Sequence, residues 1–581
     1  MLERLRRWRS WPVVAVWAVA VLPIVTAAIR AIATGWRPIG DNALVALRAR
    51  DVFTSHHPWL GTWSSASLEA GQDLNHPGPL IFDAVALPVR LFGSGAGLVI
   101  GDALVNILAV TTVAVFAHRR LGRVAAVVML VGVVYHEYIM GSELLIDPWN
   151  PHVLMLPCFA LLVCAWGVTE SDRWALPVFL AIGSYCVQTH VGYSYLVPGL
   201  LVAALVLRWL RHRRVASSTR WPFQRRELLW SGGVVAVLWS QPLFEQIFGA
   251  GEGNLSRIIG ARGSDGLTIG PSLSVRLFTS VVTTPPWSAR AGFLRAVPFT
   301  SYERPGVLRP IDVIGGIETA IRLVLFVAVL GAAAWWSWRR RDRVTTLLMA
   351  TAASAMLIAV ASIVIMPVGP IGLTAHQMRW LWPIGIFAVC GAVLALGAVE
   401  WRRSWPVGVA ALTVVSVAGI PAYAQDAGPA AFRNTIPVVA ALDRQLGVLQ
   451  GMGTIWVDTS NTPVFDNYDA ALMLELQRRG VPFVVDEPGL VRQMGEARRY
   501  DGQPAVHLWL VRGRSALLPV ADGERVAVAS TLSDEEVAEL EELGRRISDG
   551  EELPPTDSAR YDELAAAADV ATVAVIISPS S

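Results

Sequence analysis

Within the first 424 residues, roughly eleven stretches carry the run of about 20 mostly apolar side chains that a helix needs to cross the hydrocarbon core of a bilayer. Their approximate bounds are 11–34, 95–117, 124–141, 151–168, 173–189, 193–209, 228–248, 315–337, 344–366, 378–399 and 405–424. So many apolar runs leave few options for the fold. Backbone polar groups in lipid must be satisfied within the segment, which means helices here. The chain is expected to be a polytopic α-helical membrane protein. The first run follows Arg4, Arg6, Arg7 and Arg9 like the charged start of a signal peptide, but it is long and shows no small-residue cleavage site, so it is read as a retained anchor.

Arginine sets the expected orientation. Cytoplasmic connections retain positive charge, and arginines cluster in every second connection: Arg4–Arg9, Arg119–Arg123, Arg208–Arg226, Arg339–Arg343 and Arg402–Arg403. The opposite, extracytoplasmic face then receives 35–94, 142–150, 190–192, 249–314, 367–377 and everything after about residue 425. The long connections 35–94 and 249–314 are rich in Trp, Pro, Asp and His rather than in spacer residues, which marks that face as the working one.

Composition narrows the function classes. Only 16% of residues are charged, against ~25% in soluble domains. The net charge of +2, carried entirely by arginine on the positive side, forms no continuous basic face and argues against nucleic-acid binding. Cys158, Cys164, Cys186 and Cys390 all lie in apolar runs, so neither a disulfide framework nor a zinc knuckle is indicated. The lysine-free, Ala/Val/Arg-rich usage suggests a bacterial chain and hence the inner membrane.

After residue 425 the pattern changes to that of a soluble α/β domain, giving an expected division into 1–424 and 425–581. Strands are expected near Thr454–Asp458, Pro482–Asp486 and Ala505–Val511, with an amphipathic helix near Asn467–Arg479. Ser533 followed by three acids reads as a helix start, with the stop at Gly550. The domain has no Gly-rich phosphate loop and no nucleophile elbow.

Ionisable residues at a membrane boundary are costly and therefore functional candidates. Asp41 follows the first run, with Arg48, Arg50 and Asp51 behind it. Its carboxylate suits a general base acting on an acceptor hydroxyl, and helix capping is the even alternative. His76 in Asn75-His76-Pro77-Gly78-Pro79-Leu80 sits in a rigid turn and can donate to a phosphate, or serve only the turn. Glu143 and Asp147, with His152 after them, can position an acceptor, orient an arginine or hold a divalent cation, and Asp147 can equally cap a helix. His190 is expected to be a polar pocket residue. His376 and Arg379 open the tenth run. A guanidinium there suits bidentate phosphate contact, with an interfacial anchor beside Trp380 as the alternative. No metal site is assigned, and a divalent cation is left open.

This constellation resembles the membrane-embedded C-type glycosyltransferases, the GT-C group that contains protein O-mannosyltransferases and aminoarabinose transferases. Asp41 matches the family's first-loop acid, Asn75-His76-Pro77-Gly78-Pro79-Leu80 is similar to its His/Lys-Pro-Pro-Leu turn with Gly78 inserted, and Arg379-Trp380-Leu381-Trp382-Pro383 resembles its late arginine motif. The family's common Asp-Glu pair is Asp41-Asn42 here. The resemblance covers residues 11–400 and implies a polyprenyl-phosphate sugar donor, inversion at the anomeric carbon, Asp41 as base, and Arg379, His76 and Arg48 at the departing phosphate. The acceptor would be a cell-envelope glycan, lipid or protein. A lipid or solute transporter is the rival. It would place charges near the bilayer midplane and show paired repeats, whereas here the charges gather at the boundary.

Overall fold

The computed structural model describes residues 11–215, 223–261, 268–283, 299–304, 307–311, 314–368, 373–397, 410, 413–414, 416, 426–462, 466–503, 506–517 and 523–578. The chain clusters into two compact units. One comprises Met1–Ala33, Trp59–Pro88 and Gly97–Gln425, and the other Thr34–Pro58, Val89–Ala96 and Asp426–Ser581. The C-terminal segment therefore shares its unit with two excursions from the N-terminal part of the chain.

The first unit is helical, as its apolar runs dictate. Among the described residues six helices are long and apolar enough to cross a membrane: Val13–Ala33, Ser94–Leu145, Asn150–Thr169, Tyr193–Arg213, Gly316–Arg339 and Arg343–Val364. Ala175–Thr189 and Leu381–Leu396 are shorter and equally apolar. The run Ser94–Leu145 is too long for one span and is broken where the sequence places its arginines. Gly122 adopts φ 68°, ψ −149°, a conformation that favours glycine. Beside the break Arg119 makes a two-pronged contact with Asp172 (2.6 and 2.8 Å), and Arg120 joins the same carboxylate. The expected run 228–248 is likewise two helices, Arg225–Leu238 and Ser240–Phe248, joined at Trp239. The run 405–424 falls almost wholly outside the described residues.

Burial sorts these helices. All fifteen residues of Met155–Thr169 are buried, at the centre of the unit. Gly316–Arg339 instead exposes Val324, Leu325, Val327, Trp335 and Trp338. A contiguous apolar face of this kind is stable against lipid and costly against water. The chain is a multi-pass membrane protein. The connection 249–314 contains the helices Asn254–Gly260 and Gly270–Thr283 and an antiparallel hairpin, β1 (Phe299–Arg304) with β2 (Val307–Ile311).

The second unit is built on a five-stranded sheet of order β4-β3-β5-β7-β6, with β3 Ile455–Asp458, β4 Phe483–Val484, β5 Val506–Arg512, β6 Glu524–Ala529 and β7 Val573–Ser578. β3, β4 and β5 run parallel, while β7 is antiparallel to both β5 and β6. Alternation along β3 and β5 points Ile455, Val457, Leu508 and Leu510 inward. Leu510 and Val575 meet Val439, Leu442 and Leu446 from the helix Thr435–Gln445 and the turn after it, and Tyr468, Ala471 and Leu472 of the helix Asn467–Arg478. A second cluster unites Leu517, Leu540, Leu564 and Ala568. At Ser533 the capping box forms as its sequence requires, with Ser533 Oγ accepting from the Glu536 N–H and Glu536 returning a bond to the Ser533 N–H.

The helix Asp41–Asp51 belongs to this unit and packs on Asn467–Arg478. It is enclosed nearly all round, with Asn42, Ala43, Val45, Ala46, Leu47, Arg48, Ala49 and Asp51 buried. Gly40 precedes it at φ 58°, and a Cβ there would lie 2.7 Å from the Phe432 ring. Only glycine suits both the dihedral and the approach.

Candidate functional site

The first unit draws His76, Glu143, Asp147, His190, His376 and Arg379 into one polar cluster, and adds His152 and Trp149. The chain reaches Asp147 where Ser94–Leu145 ends, and Pro148 stops that helix from continuing. A short turn, Asn150–Val153, then aims His152 inward, where it is fully buried. Its Nδ1 lies 2.7 Å from Asp147 Oδ2, and its Nε2 contacts the Nη1 of Arg379. Arginine can only donate, so Nε2 accepts and the ring proton sits on Nδ1, donated to Asp147. A neutral imidazole thus links a carboxylate to a guanidinium with every hydrogen bond polarised the same way. Glu143 also acts electrostatically on Arg379.

Arg379 lies between the turn Ala375–Gln377 and the helix Leu381–Leu396, and is 1% exposed. A cation just before a helix start meets the unfavourable end of the dipole, which makes its acidic and imidazole neighbours necessary. Trp149 stands edge-on between His152 and His376, at ring separations of 4.8 and 4.6 Å, and Thr374 Oγ1 bonds the His376 ring.

His76 and His190 form the other half of the cluster, with rings 5.0 Å apart and stacked. His76 Nδ1 accepts from the Val191 N–H at 3.1 Å, and His190 Nδ1 accepts from the Gly192 N–H at the same distance. Both rings therefore carry their proton on Nε2 and present it as a donor. Burial pushes His190 down to about 4, and burial followed by the neighbouring His190 holds His76 well below its ordinary value. Both rings are neutral at pH 7. They are donors without charge.

The turn that carries His76 is held on several sides. Asn75 and Asn254 exchange reciprocal bonds, Asn75 N–H to Asn254 Oδ1 (3.0 Å) and Asn254 Nδ2 to the Asn75 carbonyl (2.9 Å). Asn254, which opens an Asn-Leu-Ser sequon, is thereby fully buried and spoken for. Gly78, the insertion in the motif, has its physical reason here. Its backbone lies against the Gln188 side chain, and a Cβ would sit 2.2 Å from Gln188 Oε1 and 2.7 Å from Pro242.

Asp41 and Arg48 lie in the second unit. Asp41 opens its helix, half-buried. Arg48 donates to Asp51 Oδ2 (2.5 Å) and to the Met494 carbonyl (2.8 Å), and Arg498 grips the same carboxylate from the other side at 2.6 and 2.9 Å. With 3% of its side chain exposed, Arg48 is a buried cation of its unit, paired with Asp51.

Sequence reasoning noted His152 only as a neighbour of the acids. Its spacing of five from Asp147 across Pro148 was the available signal. It did not single out Asp102 and Asn106, four apart in an apolar run. Asp102 is fully buried with neither carboxyl oxygen hydrogen-bonded among the described residues, and Asn106 donates to the Leu145 carbonyl at 2.8 Å, just before Asp147. Among the described residues no group of three or more His, Cys, Asp or Glu converges in a way that would hold a metal ion.

No protein-family model matches the chain, and no curated protein matches it in sequence. Solved structures match it in shape. ArnT from Cupriavidus metallidurans, bound to undecaprenyl phosphate, aligns with a TM-score of 0.51 and 13% identity over 89% of this chain and 96% of that one. The same protein in the apo state gives 0.48 and 14% over 90% and 96%. The Archaeoglobus fulgidus oligosaccharyltransferase in its apo form gives 0.38 and 15% over 80% and 64%. The first alignment spans both units. This chain has the fold of the membrane-embedded C-type glycosyltransferases.

Proposed function

We propose that the protein is an inverting glycosyltransferase of the bacterial inner membrane that moves a sugar from a polyprenyl-phosphate carrier to a cell-envelope acceptor on the extracytoplasmic face. The observation that carries the reading is Arg379, a buried guanidinium fixed through His152 to Asp147 and placed in one cluster with the neutral Nε2–H donors of His76 and His190. Such a set is preorganised for phosphate oxygens. The guanidinium supplies charge and the imidazoles supply direction, without adding positive charges that would repel one another. The fold adds support, because the C. metallidurans structure that shares it holds undecaprenyl phosphate.

In this reading the leaving phosphate is stabilised by Arg379, with His76 and His190 as neutral donors. Glu143, Asp147 and His376 shape the pocket around it. Asp41, at the start of its helix, takes the acceptor proton as the hydroxyl attacks the anomeric carbon. The carbon–phosphate oxygen bond breaks as the new glycosidic bond forms, which inverts the centre, and the phosphate leaves on the lipid. The arginine pattern puts the N-terminus in the cytoplasm and the C-terminal segment outside.

The test is transfer of radiolabel from polyprenyl-phosphate sugars to a cell-envelope extract by purified wild type, Asp41→Asn and Arg379→Lys. Wild-type transfer with a loss of at least a hundredfold in both variants, at unchanged melting temperature, is expected. Equal transfer by wild type and Asp41→Asn removes the base assignment. Absence of transfer from every donor, with lipid movement in proteoliposomes, overturns the enzyme reading in favour of a transporter.

A further inference from the structure

One face of the sheet in the second unit carries a row of half-buried aromatic rings, of which Trp509 also packs against Ala516, Ala574 and Ile576. β3 and β5 place Trp456, Asp458, His507 and Trp509 on one face by strict alternation, while their neighbours Ile455, Val457, Leu508 and Leu510 fill the core. Tyr500 joins from the preceding loop. Trp456 is stacked between Tyr500 (4.5 Å, 7°) and His507 (4.3 Å, 20°), and Trp509 leans on His507 (4.7 Å, 32°). All four rings are half-buried. Across the row runs an acid–imidazole pair, His507 Nε2 to Asp458 Oδ2 at 2.9 Å, with 27% and 14% of the two side chains exposed. The buried indole N–H of Trp456 has no hydrogen-bond partner among the described residues, an unusual state for a tryptophan.

Position in the topology adds an independent argument. From β3 the chain goes to β4 on one side, and then crosses to β5 on the other. The strand order therefore reverses between β3 and β5. In open parallel sheets ligands sit at the carboxyl ends of the strands where the order reverses. Asp458 is the last residue of β3, paired in register with Trp509, so the acid and the indole stand at that place.

We infer that this face, built by Trp456, Asp458, Tyr500, His507 and Trp509, binds a neutral glycan chain. Aromatic rings offer apolar surface to the C–H faces of pyranose or furanose rings. The carboxylate, held ionised by its bonds to Ser460 and His507 in spite of burial, accepts sugar hydroxyls and repels phosphate or other anions. A hydroxyl-rich, uncharged ligand is the class that satisfies both the rings and the acid. The inference deepens the transferase reading and rests on it for its purpose. The glycan would be the acceptor, gripped by the second unit while its end is extended.

The experiment uses the full-length protein in nanodiscs, titrated with neutral mannan, galactan, arabinan and glucan oligosaccharides and followed by tryptophan fluorescence and calorimetry. At least one oligosaccharide is expected to bind, with Asp458→Asn and His507→Gln each weakening it about tenfold at unchanged melting temperature. Transfer to a monosaccharide acceptor should stay at the wild-type rate in both variants. Failure of every oligosaccharide to bind, binding of acidic peptides or nucleotides instead, or equal affinity in wild type and both variants overturns the inference. Oligosaccharide binding that both variants weaken, in a protein that transfers no sugar, sustains the binding face and sinks the transferase reading. Transfer without oligosaccharide binding does the reverse.

Discussion

Asp147 holds His152 at 2.7 Å, and that one contact fixes which nitrogen of the ring faces Arg379. A carboxylate that accepts from Nδ1 obliges Nε2 to accept from the guanidinium. Asp147 need not touch a substrate to matter, because it sets the hydrogen-bond polarity of the residue that does the holding.

Replacing His152 should therefore affect transfer more than its distance from the substrate suggests. His152→Phe keeps the ring volume and removes both bonds, and is expected to lower the transfer rate by about ten- to a hundredfold. His152→Gln, which can bridge part of the gap, should lose less. The check is the transfer rate of both variants, with KM for the lipid donor measured separately. An unchanged rate in His152→Phe would mean that Arg379 is positioned by other contacts.

His190 gives the protein a defined acid sensitivity. Its folded value of about 4 lies below the ordinary 6.5, so the unfolded chain takes up a proton at a pH where the fold refuses it. Stability from this residue is complete above about 6.5 and is lost as pH falls towards 4. The melting temperature of detergent-solubilised protein should be level above neutrality and decline across that window. His190→Gln should flatten part of the decline, and a profile identical to wild type would assign the loss to other groups.

Gly78 supplies a double-mutant test of packing. Gly78→Ala forces a methyl into the Gln188 side chain and is expected to destabilise the first unit by roughly 1–3 kcal/mol. Adding Gln188→Ala should recover much of that cost, since the clash is with a side chain and the backbone dihedral is not a left-handed one. Thermal unfolding of the two single variants and the double variant measures the coupling. Strict additivity would show that Pro242 is the harder obstacle.

What was legible in the sequence follows a physical division. Apolar length marked the helices of the first unit, because a run of about 20 apolar residues is what a helix needs to cross the hydrocarbon core. Ser533 announced its helix because a capping box is a local device. The strands Ile455–Asp458 and Val506–Arg512 were visible through alternation, whereas Val573–Ser578, with five successive buried residues, has no alternation to read and was missed along with Glu524–Ala529. In the site, His76, Asp147, His190 and Arg379 were each visible as boundary residues. Their assembly was not, because it depends on contacts between distant segments, such as that of His152 with Arg379 across 227 positions. The surroundings of Arg48 were hidden for a related reason. Its helix has the composition of an exposed surface helix, and only the distant Arg498 and Met494 reveal that it is enclosed.

The enclosure of Arg48 and Asp51 also sets a timetable for biogenesis. Their partner Arg498 lies 447 residues further along the chain than Asp51. The ribosome must therefore deliver all the later hydrophobic spans before the helix Asp41–Asp51 can bury its ion pair. Until then, two charges made for an interior wait in water. A late segment of the chain completes an early one, and a chain truncated before Arg498 would display a folding defect in the helix Asp41–Asp51.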